Sequence, residues 1–140
     1  MANSLSSGLQ DYIETIYVST ENGEDLKAVD LARKLNISRA SVSEALSRLI
    51  SKNLVQYSAY KTILLTKKGV AEAKKVYAKH HALKDFFENV LDVTSDEASE
   101  NACKIEHIVS ENILNKMETF TKFFKTHKKI LDLYIEESEK

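Results

Sequence analysis

The feature that most restricts the fold is a pair of short helical patterns within residues 26–50. Apolar residues recur at helical spacing from Leu26 to Leu35, and Asn36-Ile37 then supplies a tight turn. Ser38 is suited to cap a second helix that runs to Ile50. The side chains expected to face a core are Val29, Leu31, Ala32, Leu35, Val42, Ala45, Leu46 and Leu49. This pattern predicts a helix-turn-helix, and an ordinary helical hairpin is the alternative.

The second helix of this pair carries small polar residues and one arginine near its N-terminus. Serine is a poor residue inside a helix, so Ser41, Ser43 and Ser47 indicate a surface that serves contact rather than stability. In a helix-turn-helix the second helix enters the major groove of DNA. We therefore predict that Ser38, Arg39, Ser41 and Ser43 contact double-stranded DNA.

Two short β patterns follow directly, at residues 54–57 and 62–66. They flank a tip at residues 58–61, and a hairpin in this place is the wing of a winged helix-turn-helix. Tyr60 and Lys61 at the tip are predicted to touch the DNA backbone or the minor groove.

Charge is segregated along the chain although the net charge is only −1. Residues 1–26 hold five acidic residues and no Lys or Arg, whereas residues 27–84 hold 13 basic and three acidic residues. Residues 85–140 return to an acidic balance, with 13 acidic and seven basic residues. A basic middle between acidic flanks is typical of a surface that binds a polyanion, and a merely solvated surface is the alternative.

The chain has no Pro and only three Gly, which favours helices throughout. Helical patterns cover residues 4–20, 67–91, 96–117 and 117–135, and Ser4, Ser6 or Ser7 is suited to cap the first of them. The last pattern is rich in apolar residues, which predicts the interface of a homodimer. We expect a mainly α fold, with a winged helix-turn-helix domain and two-stranded wing in residues 1–74. An all-helical dimerisation domain is expected in residues 75–140.

A thiol, a carboxylate and an imidazole lie close together at Cys103, Glu106 and His107. On a helix these positions share one face, because they are three and four residues apart. Such a set is half of a site for a divalent transition metal. The alternatives are a small buried cysteine and a solvated Glu-His pair.

Several function classes are disfavoured. A single Cys suits a reducing compartment, and no apolar run approaches the length of a membrane span. The polar N-terminus has no signal peptide, so we expect a cytoplasmic protein without a membrane partner. We expect no enzyme and no small-molecule substrate, since the metalloprotease H-E-x-x-H motif is absent. The alternatives kept open are a winged-helix repressor that senses an oxidant or organic ligand through Cys103, and a small metal-binding enzyme.

In this order the motifs resemble the DtxR/MntR family of metal-dependent transcriptional repressors over about residues 8–120. The segments that carry the resemblance are Asp11-Tyr12-Ile13-Glu14-Thr15-Ile16-Tyr17, the helix-turn-helix from Leu31 to Leu49, Leu65-Thr66-Lys67-Lys68-Gly69, Lys79-His80-His81-Ala82-Leu83 and Ala102-Cys103-Lys104-Ile105-Glu106-His107. The resemblance implies a metal site between a DNA-binding and a dimerisation domain. It implies as ligands Asp11, Glu14, His81, Cys103, Glu106 and His107, with His81 rather than His80 as the family's histidine. Asp85 matches an acid that serves a second site in iron-sensing members.

The ligand set implied by the resemblance is a hybrid. Manganese-sensing members have a carboxylate where Cys103 stands, and iron-sensing members have a thioether at Asp11 and a histidine at Ser99. Carboxylates favour manganese, while a thiolate favours iron, cobalt or zinc, so we expect Fe(II) with a slight preference over Mn(II). The metal would tie the first helix to the second domain. In a dimer this would set two recognition helices at successive major grooves, about 34–36 Å apart.

Overall fold

The computed structural model of the chain describes residues 5–140, so Ser4, one of the predicted caps, lies outside the described residues. The chain divides into two compact units, one ending at Val76 and the other beginning at Tyr77, two residues beyond the predicted boundary. The elements in order are α1 Ser7–Glu21, α2 Ala28–Leu35, α3 Arg39–Ser51, β1 Val55–Tyr57, β2 Ile63–Leu65, α4 Lys67–Asn89, α5 Ser95–Ile105, α6 Glu111–Thr126 and α7 Lys128–Ser138. The predicted mainly α fold with a winged helix-turn-helix is confirmed.

The first unit is built on local signals that the sequence carries. Ser6 caps α1 by accepting a hydrogen bond from the Leu9 amide, and Asn36 ends α2 in the left-handed conformation at φ 53°. Ser38 caps α3. The side chains buried in its core include Ile13, Ile16, Leu26, Leu31, Val42, Leu46, Leu49, Leu54 and Ile63. Val29 was expected among them but is 43% exposed, because Leu31 and Ala32 carry the buried face of α2.

The wing is a two-stranded antiparallel hairpin in which Val55 pairs with Leu65 and Tyr57 with Ile63. It is tied to the helices, since the Ile63 amide donates to the Leu26 carbonyl at 2.8 Å. Gly69, in the first turn of α4, lies so close to the start of the hairpin that a Cβ there would be 2.0 Å from the Leu54 carbonyl oxygen. Only glycine fits this approach, which fixes the wing against the start of α4.

The second unit holds a small core of Ala82, Leu83, Ala102 and Leu114. The prediction of one helix over residues 96–117 is wrong: α5 ends at Ile105, and Ser110 caps α6 by accepting from the Ile113 amide. The predicted helix over 117–135 is likewise divided, at His127, whose φ of −118° and ψ of 65° are not helical. Among the described residues, no helix is both long and apolar enough to span a membrane.

Candidate metal centre and DNA-binding surface

Glu106 is the centre of the candidate metal site. It follows the last residue of α5 with helical backbone angles, and its side chain is fully buried at 0% exposure. One carboxylate oxygen, Oε2, lies 2.9 Å from Nδ1 of His80 on α4. The other, Oε1, has no hydrogen-bond partner among the described residues. A buried carboxylate oxygen without a partner is costly, and a bound cation would satisfy it.

Cys103 and His107 flank this carboxylate from the same short segment. Donor atoms of His80, Cys103 and Glu106 all lie within 4.8 Å of one another, which a single metal ion can span. Cys103 is exposed in the last turn of α5, and Nε2 of His107 lies 3.6 Å from Glu106 Oε1. The break after Ile105 does not separate Cys103 from Glu106, because the first residue of the break keeps helical angles. The three donors are nitrogen, sulfur and oxygen, a set that fits iron, cobalt, zinc or manganese.

The structure places His80, rather than His81, in this cluster. His81 is exposed, and its ring centroid lies 4.2 Å from that of Tyr77. Burial, and then the nearby charges of His80 and Lys84, lower the pKa of His81. His81, which the family resemblance implies as a ligand, is not among the residues of this donor cluster. The sequence analysis set His80 aside in favour of His81, although His80 is seven residues after buried Ala73 and three before buried Leu83, on the apolar stripe of α4.

Asp85, the acid of the expected second site, is paired with a cation. Its carboxylate oxygens lie 2.7 and 2.9 Å from Nζ of Lys125, and Asn89 also donates to it. It belongs to no cluster of three donor atoms among residues 5–140. Ser99, where iron-sensing relatives carry a histidine, lies beside His80, with Oγ 3.5 Å from Nε2.

The remaining expected ligands, Asp11 and Glu14, lie on α1 in the first unit and are half-buried. They are one turn apart and so share a face of the helix. The cap at Ser6 precedes α1 and fixes where the helix begins.

The residues expected to contact DNA are exposed on α3 and the wing. Arg39 and Ser43 point outward near the start of α3. Ser38 and Ser41 are exposed too, but their hydroxyls bond each other at 2.9 Å while Ser38 caps the helix. Because these two hydroxyls already form hydrogen bonds at the cap, they have less capacity left to hydrogen-bond with a DNA base.

The tip of the wing presents two further predicted contacts. Tyr60 is 84% exposed, and Lys61 is exposed and holds a left-handed conformation at φ 62°. Ser58 stabilises the tip, since its hydroxyl accepts from the amides of Tyr60 and Thr62. The tip is thus a shaped turn that carries a cation and an aromatic ring outward.

Comparison with known proteins adds independent findings. Residues 4–63 match the family model "Iron dependent repressor, N-terminal DNA binding domain", and residues 66–131 match "Iron dependent repressor, metal binding and dimerisation domain". The chain is 38% identical over 122 residues to the uncharacterized HTH-type transcriptional regulator MJ0568 of Methanocaldococcus jannaschii, covering 86% of this chain and 98% of that one.

Two other similar proteins are also named as regulators. The HTH-type transcriptional regulator MntR of Listeria welshimeri is 28% identical, covering 89% of this chain and 87% of that one. The solved structure of the manganese regulator SloR superposes with a TM-score of 0.73 at 33% identity, covering 82% of this chain. The chain spans only 54% of the length of SloR.

Proposed function

Because the chain belongs to the DtxR/MntR family of metal-dependent transcriptional repressors, we propose that it binds operator DNA when a divalent transition metal occupies the Glu106 site. The observation that carries this proposal is the buried Glu106 carboxylate. It has an imidazole at 2.9 Å on one oxygen and no hydrogen-bond partner on the other among the described residues. A buried carboxylate oxygen without a hydrogen-bond partner needs an explanation, and a bound cation supplies one here.

The proposed ligands within the second unit are His80, Cys103, Glu106 and His107. His80 replaces His81 in the set, because its Nδ1 contacts the central carboxylate and His81 lies among Tyr77, Lys84 and Asp85. A bound metal would neutralise the Glu106 charge and hold the Cys103 thiolate. Asp11 and Glu14 complete the proposed set from α1, and this part rests on the family resemblance alone.

The metal is proposed to be Fe(II), with Mn(II) as the near competitor. The thiolate of Cys103 is a softer donor than the carboxylates and favours iron over manganese. The description of the similar structure SloR as a manganese regulator favours the competitor, but that description belongs to SloR and not to this chain. Replacing Cys103 with Glu substitutes a hard donor for the soft one, so it should move the preference toward Mn(II).

A homodimer is the proposed DNA-binding species, since residues 66–131 match a dimerisation domain. The proposed interface is the aromatic surface, which we define as five of the exposed apolar side chains of α6 and α7: Phe120, Phe123, Ile130, Leu133 and Tyr134. Helix α7 has no buried residue in the described chain, which leaves its apolar side chains for a partner.

In this mechanism metal acts by shifting a population. We propose that the ion links α1 of the DNA-binding unit to the second unit, so that the metal-bound state favours one placement of the recognition helices. A metal activates only by its differential affinity for the DNA-competent state. The role is regulatory rather than catalytic. We propose a cytoplasmic location, since a regulator that binds operator DNA works where that DNA is, and similar proteins are named as transcriptional regulators.

Two adjacent histidines provide a matched test. Mobility-shift titrations with Mn(II), and with Fe(II) under anaerobic conditions, would compare wild type with His80→Ala and His81→Ala. We expect His80→Ala to need at least about 100-fold more metal for operator binding, because it loses a ligand. His81→Ala should respond like wild type. The reverse result would restore His81 as the ligand, and metal-independent binding by wild type would contradict the proposed function.

A further inference from the structure

The exposed stripe of α3 can be located from its buried stripe. Val42, Ala45, Leu46 and Leu49 are buried, and successive residues turn by about 100°. The positions diametrically opposite this buried stripe are therefore 40, 44, 47 and 51, with 43 beside them. All five are exposed: Ala40, Ser43, Glu44, Ser47 and Ser51. Arg39 lies closer to the buried stripe, at the edge of this surface.

Four of the five residues on this stripe are small, and the fifth is an acid. Ala40, Ser43 and Ser47 allow the helix backbone to approach a surface closely, so the longer Glu44 side chain extends beyond them. Residues 27–84 contain only three acids against 13 basic residues. An acid on the outer face of a recognition helix faces a polyanion and costs non-specific affinity. Its presence there calls for a specific partner in the groove.

The other two acids of this basic stretch have local partners away from α3. Asp30 accepts from the Lys27 amide at the start of α2, and Glu72 lies 3.6 Å from Lys75 on α4. Glu44 also has a partner, since its Oε1 accepts from Arg48 at 2.8 Å, but both side chains remain more than 60% exposed, at 68% and 63%. A carboxylate has two acceptor oxygens, so the contact with Arg48 orients Glu44 without using its full capacity.

We propose that Glu44 accepts a hydrogen bond from the N4 amino group of a cytosine in the operator, with Arg48 positioning its carboxylate. In the major groove cytosine presents an amino donor, which is what a carboxylate reads. Arg48 is one turn further along the helix, and its guanidinium donates to Glu44 Oε1. This inference rests on the proposed DNA-binding function and names a sequence preference within it. A simple helix-stabilising pair is the alternative role for Glu44 and Arg48.

The test is in vitro selection of DNA sequences by the full chain with Mn(II), for wild type, Glu44→Gln and Glu44→Ala. Wild type should select cytosine at one position of each half-site by about tenfold over the other bases. Glu44→Gln should shift that position toward adenine, which a glutamine amide reads, and Glu44→Ala should lose the preference there. Preferences at the other positions should be kept.

Glu72→Gln is the matched control, because it removes the same charge from a solvent-facing acid that is not on α3. It should select the same sequences as wild type. If Glu44→Gln and Glu44→Ala both select the wild-type sequence, Glu44 does not read a base and the inference is overturned. Thermal unfolding of each variant shows that a changed preference does not come from a misfolded chain. Absence of any metal-dependent selection by wild type would count against the proposed function itself, and this inference would fall with it.

Discussion

Replacing Glu106 with Met tests whether this acid is buried for a metal or for the fold. In the metal-free protein two effects oppose each other. Removing the carboxylate relieves a buried oxygen that has no hydrogen-bond partner among the described residues, a gain of about 1–3 kcal/mol. It also deletes the 2.9 Å contact with His80, a loss of about 1.5–3 kcal/mol if one group is charged. We therefore expect the metal-free stability to change by less than about 2 kcal/mol.

The response to metal should change far more. A ligand at a concentration about 100 times its Kd stabilises the folded state by about 2.7 kcal/mol, which is roughly 5–11 °C in Tm for a chain of this size. If Glu106→Met weakens metal binding by about 100-fold, the stabilisation at the same concentration falls to about 0.4 kcal/mol. The metal-induced rise in Tm should then shrink to roughly 1–2 °C.

Thermal unfolding followed by circular dichroism, without metal and with Mn(II), measures both quantities. Glu100→Met is the control, because Glu100 is an exposed acid on the same helix, paired with Lys104 at 3.0 Å. It should keep the full metal-induced rise. A full rise in Glu106→Met would refute the assignment of Glu106 as a ligand. A metal-free loss well above about 2 kcal/mol would assign it a structural role instead.

Three further outcomes follow from the structure. Gly69→Ala should lower the free energy of unfolding by about 3 kcal/mol and the Tm by roughly 10 °C, because its Cβ would lie 2.0 Å from the Leu54 carbonyl oxygen. The control Gly8→Ala has nothing within 4 Å of the added Cβ and should be neutral or stabilising. Equal unfolding temperatures of the two variants would contradict this prediction. Arg39→Ala should weaken operator binding by about 1–3 kcal/mol if Arg39 reads a base, and an unchanged affinity and salt dependence in mobility shifts would remove it from the interface. Leu133→Glu should convert the homodimer to monomer in analytical sedimentation, whereas a retained dimer would exclude the aromatic surface.

The DNA-binding unit could be predicted closely because its signals are local. Ser38 caps α3, Asn36 ends α2, and the alternation around residues 58–61 predicts the wing. Each signal lies within a few residues of the structure that it specifies, and the structure confirms the winged helix-turn-helix that they predict together. Contacts between residues that are distant in the sequence could not be predicted in this way. Nothing near Gly69 in the sequence shows that the carbonyl of Leu54 lies against it.

The break between α5 and α6 was missed because the apolar spacing continues through it. Ala102, Ile105 and Val109 recur as they would on one helix, although residues 106–110 are not helical. The available signal was Ser110 followed by Glu111, a cap and an acid that begin α6. The break matters for chemistry, because Glu106 keeps helical angles beside Cys103 whereas His107 follows in the turn.

The choice between His80 and His81 shows what a resemblance alone does not decide. Two adjacent histidines match the same motif, and a shift of one residue turns a side chain by about 100° around the helix. Four of the buried residues of α4, Ala73, Val76, Leu83 and Val90, lie along one line of the helix, and position 80 continues that line while position 81 does not. A polar residue on an otherwise apolar face needs a buried partner, and here that partner is the Glu106 carboxylate. The periodicity of the helix therefore favours His80 as the ligand on physical grounds, independently of which histidine the motif is aligned to.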